Sequence, residues 1–264
     1  MRETLPMQPE EREHRIHFTP LKLLLFGHGK MGTLVADMAR DRGHEIVVIS
    51  TRANEREVIE GSSIAQADLC IDFSHPSAVL KHIEAAALAG KSIVVGTTGW
   101  YDHLERARLI VERQGIGCLY APNFSLGVLL FMQIVQYASK LMNRFPSYDV
   151  GGLEIHHNQK IDTPSGTAQA LSEIITKNIS RKSSIVHDLS ERPIASCEFH
   201  MTSLRVGHQP GTHTILFDST HDTLLLTHEA RHRNAFAEGA LIASEWLHGK
   251  KGWFGLEDLL PTTI

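Results

Sequence analysis

An apolar strand-like run from Leu21 to Phe26 is followed at once by Gly27-His28-Gly29-Lys30-Met31-Gly32, then by a helix-like stretch from Thr33 to Arg40 and a second apolar run, Glu45 to Ser50. This strand–glycine turn–helix–strand order restricts the fold more than any other feature of the chain. Parallel strands need a crossover, and a helix supplies it. The glycines fit G-x-G-x-x-G: the first for a tight turn, the second for close approach of backbone to a pyrophosphate, the third for helix–strand packing. The same alternation continues through Leu69 to Phe73, a helix from Ser77 to Ala89, Ser92 to Val95, a helix from Asp102 to Arg113, and Gly117 to Tyr120. Apolar runs alternating with helices predict an α/β, Rossmann-like, doubly wound parallel sheet.

After Pro122-Asn123-Phe124-Ser125 the pattern changes. A long apolar helix, Gly127 to Met142, precedes a strand from Val150 to His157, a helix led by Ser165, and strands over Cys197 to Val206, His213 to Asp218 and Asp222 to His228. Grouped strands predict a second, α+β domain with a mostly antiparallel sheet. The expected division is 1–19 as a mobile N-terminal extension without periodicity, 20–126 as a dinucleotide-binding domain, and 127–236 as a second domain, with 237–264 returning to the first. The last helix, Ala235 to Leu247, suits either domain by pattern alone.

At 264 residues and 42% apolar composition the chain can bury a core in each domain. A formal net charge of −4 and a pI near 6.5 argue against nucleic acid or an anionic membrane as partner. Three scattered cysteines, Cys70, Cys118 and Cys197, suggest neither a disulfide framework nor a zinc ribbon. The longest apolar runs fall far short of the ~18 residues that span a bilayer. The expectation is a cytoplasmic enzyme of small-molecule chemistry.

The chemistry concentrates in His156-His157-Asn158-Gln159-Lys160-Ile161-Asp162-Thr163-Pro164-Ser165-Gly166-Thr167-Ala168. Ser165 or Thr163 can cap the helix that follows, whose free N–H groups at Gly166, Thr167 and Ala168 form a site for a carboxylate or phosphate, with Lys160 adding a charge. A capped helix behind a loop of solvated His and Lys has the same sequence. Strand alternation puts Glu154 and His156 on one face and His157 with Leu153 and Ile155 on the other, which favours His156 as an acid and His157 as the packed ring, unless the strand breaks there.

In the first domain, Ser50-Thr51-Arg52 ends the second strand with no carboxylate for a ribose 2′-hydroxyl, and Arg52 suits a 2′-phosphate, which points to NADPH with NADH also open. Gly96-Thr97-Thr98 and Ala121-Pro122-Asn123-Phe124 leave the carboxyl ends of strands, where ligands bind in open α/β sheets. A rival pattern, His228-Glu229-Ala230-Arg231-His232, matches the zinc-hydrolase H-E-x-x-H, but it follows a strand pattern where that site needs a helix. No metal is expected.

Together with Ile71-Asp72-Phe73-Ser74-His75-Pro76, Arg205-Val206-Gly207 and Gly211-Thr212-His213-Thr214, these motifs resemble one family from about Leu21 onward: 4-hydroxy-tetrahydrodipicolinate reductase, long called dihydrodipicolinate reductase, of the diaminopimelate route to lysine. The string from Glu154 to Ala168 is the specific part. The resemblance implies His156 and Lys160 as catalytic proton donors, and His157, Lys160, Gly166 and Thr167 on the carboxylates of a small dicarboxylate substrate. It further implies Gly27, His28, Gly29, Lys30, Met31, Gly32, Gly96, Thr97, Thr98, Ala121, Pro122, Asn123 and Phe124 along NADPH or NADH, and a homotetramer formed through the second domain's sheet. Ser50 departs from the family's usual ribose acid. A two-domain dehydrogenase of an amino acid or sugar, or a non-catalytic nucleotide-binding protein, are the alternatives.

Overall fold

A computed structural model describes residues 19–187 and 192–260. The expected N-terminal extension falls, but for Thr19, outside the described residues. The chain forms two compact units, Met1–Pro122 with Ala240–Ile264, and Asn123–Gly239.

The first unit contains β1 (Lys22–Phe26), α1 (Lys30–Asp41), β2 (Glu45–Ser50), α2 (Glu55–Glu60), α3 (Ser63–Gln66), β3 (Leu69–Asp72), α4 (Val79–Leu88), β4 (Ser92–Val95), α5 (Leu104–Gln114) and β5 (Gly117–Tyr120). A late strand, here β11 (Gly252–Phe254), completes a six-stranded sheet in the order β11-β5-β4-β3-β1-β2, every neighbour parallel. Both faces are covered, so β3 is buried at all four residues and β1 at all but Lys22. Helix α1 buries Gly32, Val35, Ala36 and Ala39, an i, i+3, i+4, i+7 stripe that seats it on the sheet. Strand order reverses between β1 and β3, which opens a crevice at their carboxyl ends. The short helices α2 and α3, unsignalled by periodicity, fill the β2-to-β3 crossing.

The second unit contains α6 (Leu126–Met142), β6 (Asp149–His156), α7 (Gly166–Asn178), β7 (Ser184–Val186), β8 (Glu198–Arg205), β9 (Thr212–Asp218) and β10 (Thr223–Glu229); α8 (Asn234–Leu247) then leads back to the first unit. Sheet order is β10-β9-β6-β8-β7. The expected mostly antiparallel sheet is instead mixed: β10/β9 and β9/β6 are antiparallel, β6/β8 and β8/β7 parallel. The reason is connectivity, because α7 carries the chain from β6 back over the sheet, whereas β9 and β10 share a tight turn. Phe199, Met201, Ile215 and Phe217 on one sheet face pack with Phe131, Val135, Leu171 and Ile175 of α6 and α7.

Candidate functional site

In the first unit the site is a cleft of about 790 Å³ at the carboxyl ends of β1 and β2. Gly27 turns the chain at φ +102°, and a Cβ there would lie 2.2 Å from the carbonyl oxygen of Phe73. Gly29 caps α1 without a side chain, so the first amides of the helix are left for a ligand. A Cβ on Gly32 would sit 2.1 Å from Gly27 O, so glycine is what lets α1 start beside the turn.

Gly27, His28, Gly29 and Arg52 line the cleft, as expected, with Ser50 and Thr51. Lys30, Met31 and Gly32 form the first turn of α1 behind them. Gly96, Thr97 and Thr98 follow β4 and are not part of the lining. Thr97 braces the end of β3: its hydroxyl donates to Asp72 Oδ1 at 2.6 Å and accepts from Ser74 N at 2.7 Å. Gly96 is required by packing, since its Cβ would fall 2.2 Å from Phe73 Cε1. Ala121 is buried and Pro122 exposed just past β5, Asn123 Oδ1 accepts from Ser125 N at 2.8 Å, and Phe124 is buried in the second unit.

Several lining residues carried no sequence signal. Glu55 and Lys81 pair across the cleft at 2.9 Å, and that bond outweighs burial to hold the Glu55 carboxyl below the ordinary range. Beneath them His82 is buried with its ring stacked on Phe26 at 4.0 Å, Nδ1 is 2.6 Å from Asp72 Oδ2, and Nε2 is 3.0 Å from Glu55 Oε1. These links tie α2 and α4 to the end of β3 and so fix the cleft floor.

In the second unit the centre is Glu154, fully buried on β6. Its Oε1 accepts from Ser203 Oγ at 2.6 Å, Ser165 N at 3.0 Å and Arg205 Nη2 at 3.0 Å. Its Oε2 is 3.2 Å from His156 Nδ1 and 3.6 Å from His213 Nε2. Burial pushes the Glu154 carboxyl up, but the donors His156, His213, Ser165 and Ser203 overcome it and hold the group far below the carboxylate range. Arg205 also donates to Asp162 O at 2.8 Å and Thr163 Oγ1 at 3.0 Å. The loop from His157 to Ser165 is thereby fastened to Glu154 through its end and its middle.

Ser165, not Thr163, caps α7, its Oγ accepting from Ala168 N at 3.1 Å. Gly166 is exposed with open space where a Cβ would stand, Thr167 is half-buried, and the first amides of α7 face outward from the helix start. Lys160 is held by Asp162 at 2.8 and 2.9 Å, and the ammonium in turn lowers the Asp162 carboxyl.

His156 is the packed ring and His157 the freer one, opposite to the expected packing. The cause is that the face shared by Glu154 and His156 is the one α7 covers, while β6 ends at His156 and leaves His157 in the turn beyond, where its carbonyl accepts from Lys160 N at 3.1 Å. In the rival motif, His228 and Glu229 end strand β10, so the two histidines do not share a helical face. Glu154, His156 and His213 do bring ligand-type atoms within 4.8 Å of one another, but the Arg205 guanidinium already supplies positive charge to that carboxylate.

A family model described as "Dihydrodipicolinate reductase, N-terminus" matches residues 21–124, and one described as "Dihydrodipicolinate reductase, C-terminus" matches residues 127–260. The chain belongs to the dihydrodipicolinate reductase family. It is 35% identical over 240 residues to the 4-hydroxy-tetrahydrodipicolinate reductase of Christiangramia forsetii, covering 91% of this chain and 98% of that one. The corresponding reductase of Laribacter hongkongensis is 34% identical over 205 residues, 75% of each chain. A solved dipicolinate-bound dihydrodipicolinate reductase from Paenisporosarcina sp. TG-14 superposes with a TM-score of 0.72 at 24% identity, over 92% of this chain and 100% of that one, and shows the shared fold. Dihydrodipicolinate reductases are oxidoreductases that draw on NADH or NADPH, and the uncapped α1 start beside a side-chain-free turn fits a pyrophosphate.

Proposed function

We propose that the chain reduces 4-hydroxy-tetrahydrodipicolinate to tetrahydrodipicolinate with loss of water, binding NADPH or NADH on the first unit and the dicarboxylate on the second. The observation that carries the substrate reading is the braced loop: Glu154 lies beside His156 and accepts from Ser165 N at the α7 start, and Arg205 binds both Glu154 and the carbonyl of Asp162, whose carboxylate holds Lys160, so one brace gathers a proton donor, an ammonium and free amides.

A substrate carboxylate takes the Lys160 ammonium from Asp162 and accepts from the amides of Gly166 and Thr167. His157, in the turn beyond β6, contacts the same group in this reading. His156 supplies the proton that balances reduction of the ring, and the substrate hydroxyl leaves as water. The bound cofactor supplies the hydride. In the cleft, the glycine turn and α1 start receive the pyrophosphate, while Arg52 offers a charge for a 2′-phosphate at the end of β2.

The assembly we propose is a homotetramer through the open face of the second sheet. Leu153, Ile155, Leu204, Leu216 and Leu225 share that face with Thr202, Thr212, Thr214, Thr223 and Thr227, and Leu204 and Leu225 are 48% and 56% exposed. We place the protein in the cytoplasm, in keeping with unpaired Cys70, Cys118 and Cys197. Among the described residues no helix is long and apolar enough to cross a membrane.

The test is consumption of reduced cofactor with freshly made 4-hydroxy-tetrahydrodipicolinate. His156→Gln and Lys160→Ala should each lower kcat by about 10²-fold or more with cofactor affinity nearly unchanged. Parent-like turnover in both variants would overturn the assignment. Pyridine-2,6-dicarboxylate should compete with substrate, which an amino-acid or sugar dehydrogenase has no reason to show.

A further inference from the structure

Alternation on β6 places Glu154 and His156 on the same covered face, two residues apart. The two carboxylate oxygens of Glu154 have different surroundings. Oε1 is filled by three donors, from Ser203, Ser165 and Arg205. Oε2 takes none of them; it lies between two imidazoles, 3.2 Å from His156 Nδ1 and 3.6 Å from His213 Nε2, in charge contact with both and without a well-aligned hydrogen bond to either. The other ring nitrogen, Nε2, faces Gly211, where a Cβ would stand 3.0 Å from it. His213 closes the side, its ring edge-on to His156 at 5.1 Å and its Nε2 3.2 Å from Ser165 Oγ.

We infer that Glu154 is a positioning residue for His156: the carboxylate oxygen Oε2, 3.2 Å from Nδ1, favours the proton on that nitrogen, so that Nε2 is the atom that gives a proton to substrate. The inference rests on His156 being the acid. Three donors pin Oε1, so the carboxylate cannot swing away, and the direction of Oε2 is set before substrate arrives. A neutral imidazole carries one N–H, and a carboxylate at Nδ1 decides where it resides. Arg205 on β8, His213 on β9 and the Lys160–Asp162 pair in the loop are the other charged or titratable groups around the dyad, and Arg205 is committed to Oε1 and to the loop carbonyl. Gly211 completes the device by leaving space at Nε2.

The test has two arms. On the parent protein, 15N-histidine NMR, with the His156 signals identified by their loss in His156→Gln, should show the neutral ring protonated on Nδ1. An Nε2-protonated ring overturns the inference, and this arm needs no folded Glu154 variant. In the second arm, Glu154→Gln should lower kcat about tenfold or more and move the neutral-ring proton of His156 toward Nε2 in the same 15N spectra, with substrate KM and cofactor affinity held within about twofold. A merely structural Glu154 would lower thermal stability and leave the tautomer in place. If His156→Gln is impaired while Glu154→Gln keeps the parent kcat and tautomer, the inference alone fails. If His156→Gln is unimpaired, the reading of His156 as acid fails and takes the inference with it.

Discussion

Ser165 has two partners, and removing its hydroxyl should cost more than the loss of an ordinary helix cap. Its Oγ accepts from Ala168 N at 3.1 Å and lies 3.2 Å from His213 Nε2, with Ser165 and His213 both buried. Loss of a cap is worth about 1 kcal/mol. Taking the hydroxyl from the buried His213 Nε2 leaves that nitrogen only Glu154 Oε2, 3.6 Å away, and adds about 1–3 kcal/mol, so Ser165→Ala should destabilise by roughly 2–4 kcal/mol. Ser125 is the internal control: it caps α6 from a buried position, accepting from Val128 N at 3.3 Å, and Ser125→Ala should lose only about 1 kcal/mol. Trp100, Trp246 and Trp253 all lie in the first unit, so tryptophan fluorescence is blind to this change. Hydrogen exchange read on peptides from β6, α7 and β9 is not. Protection there should fall roughly thirtyfold to several hundredfold in Ser165→Ala, at about 1.4 kcal/mol per factor of ten. Equal loss in the two variants would refute the argument that Ser165 serves His213 as well as the helix.

Two further outcomes follow from the geometry. In Gly32→Ala the added methyl must displace backbone at Gly27, and NADPH affinity by fluorescence titration should drop about tenfold or more; a parent-like Kd would show that the turn can shift. Arg192, with the Ala195 N–H second, holds the Glu198 carboxyl down to about 2 from an ordinary 4.5, so this group stabilises the fold above pH 4.5 and its contribution is lost as pH falls toward 2. Over that window the parent Tm should fall more steeply than that of Glu198→Gln, and parallel curves would sink the assignment.

The parallel sheet was legible because its signal is local and repeated: buried runs, glycine turns, helical stripes. The α7 start was legible too, since Ser165 and the helix it caps are adjacent in sequence. Strand partners were not. Period-two alternation marks β6, β8 and β9 as strands but does not say that β6 lies between the other two, with β8 parallel and β9 antiparallel to it. The surroundings of His156 were hidden for the same reason, because Ser203 and Arg205 reach Glu154 from 49 and 51 residues away. Alternation correctly paired Glu154 with His156, yet it could not say which face α7 would cover, so it misjudged which histidine is packed. The three-residue strands β7 and β11 are too short to carry a pattern.

The position of β11 bears on how the chain is made. Its partner β5 is complete by Tyr120, but Gly252–Phe254 are synthesised only after the entire second unit. Until then the backbone of β5 presents unpaired amides and carbonyls to the cell, an edge open to wrong partners. The Glu245 carboxylate that clasps His44 at 2.9 Å and Arg42 at 3.1 Å likewise arrives late. On the ribosome, therefore, the first unit begun is the last one finished, and a chain cut anywhere before Gly252 leaves that sheet one strand short.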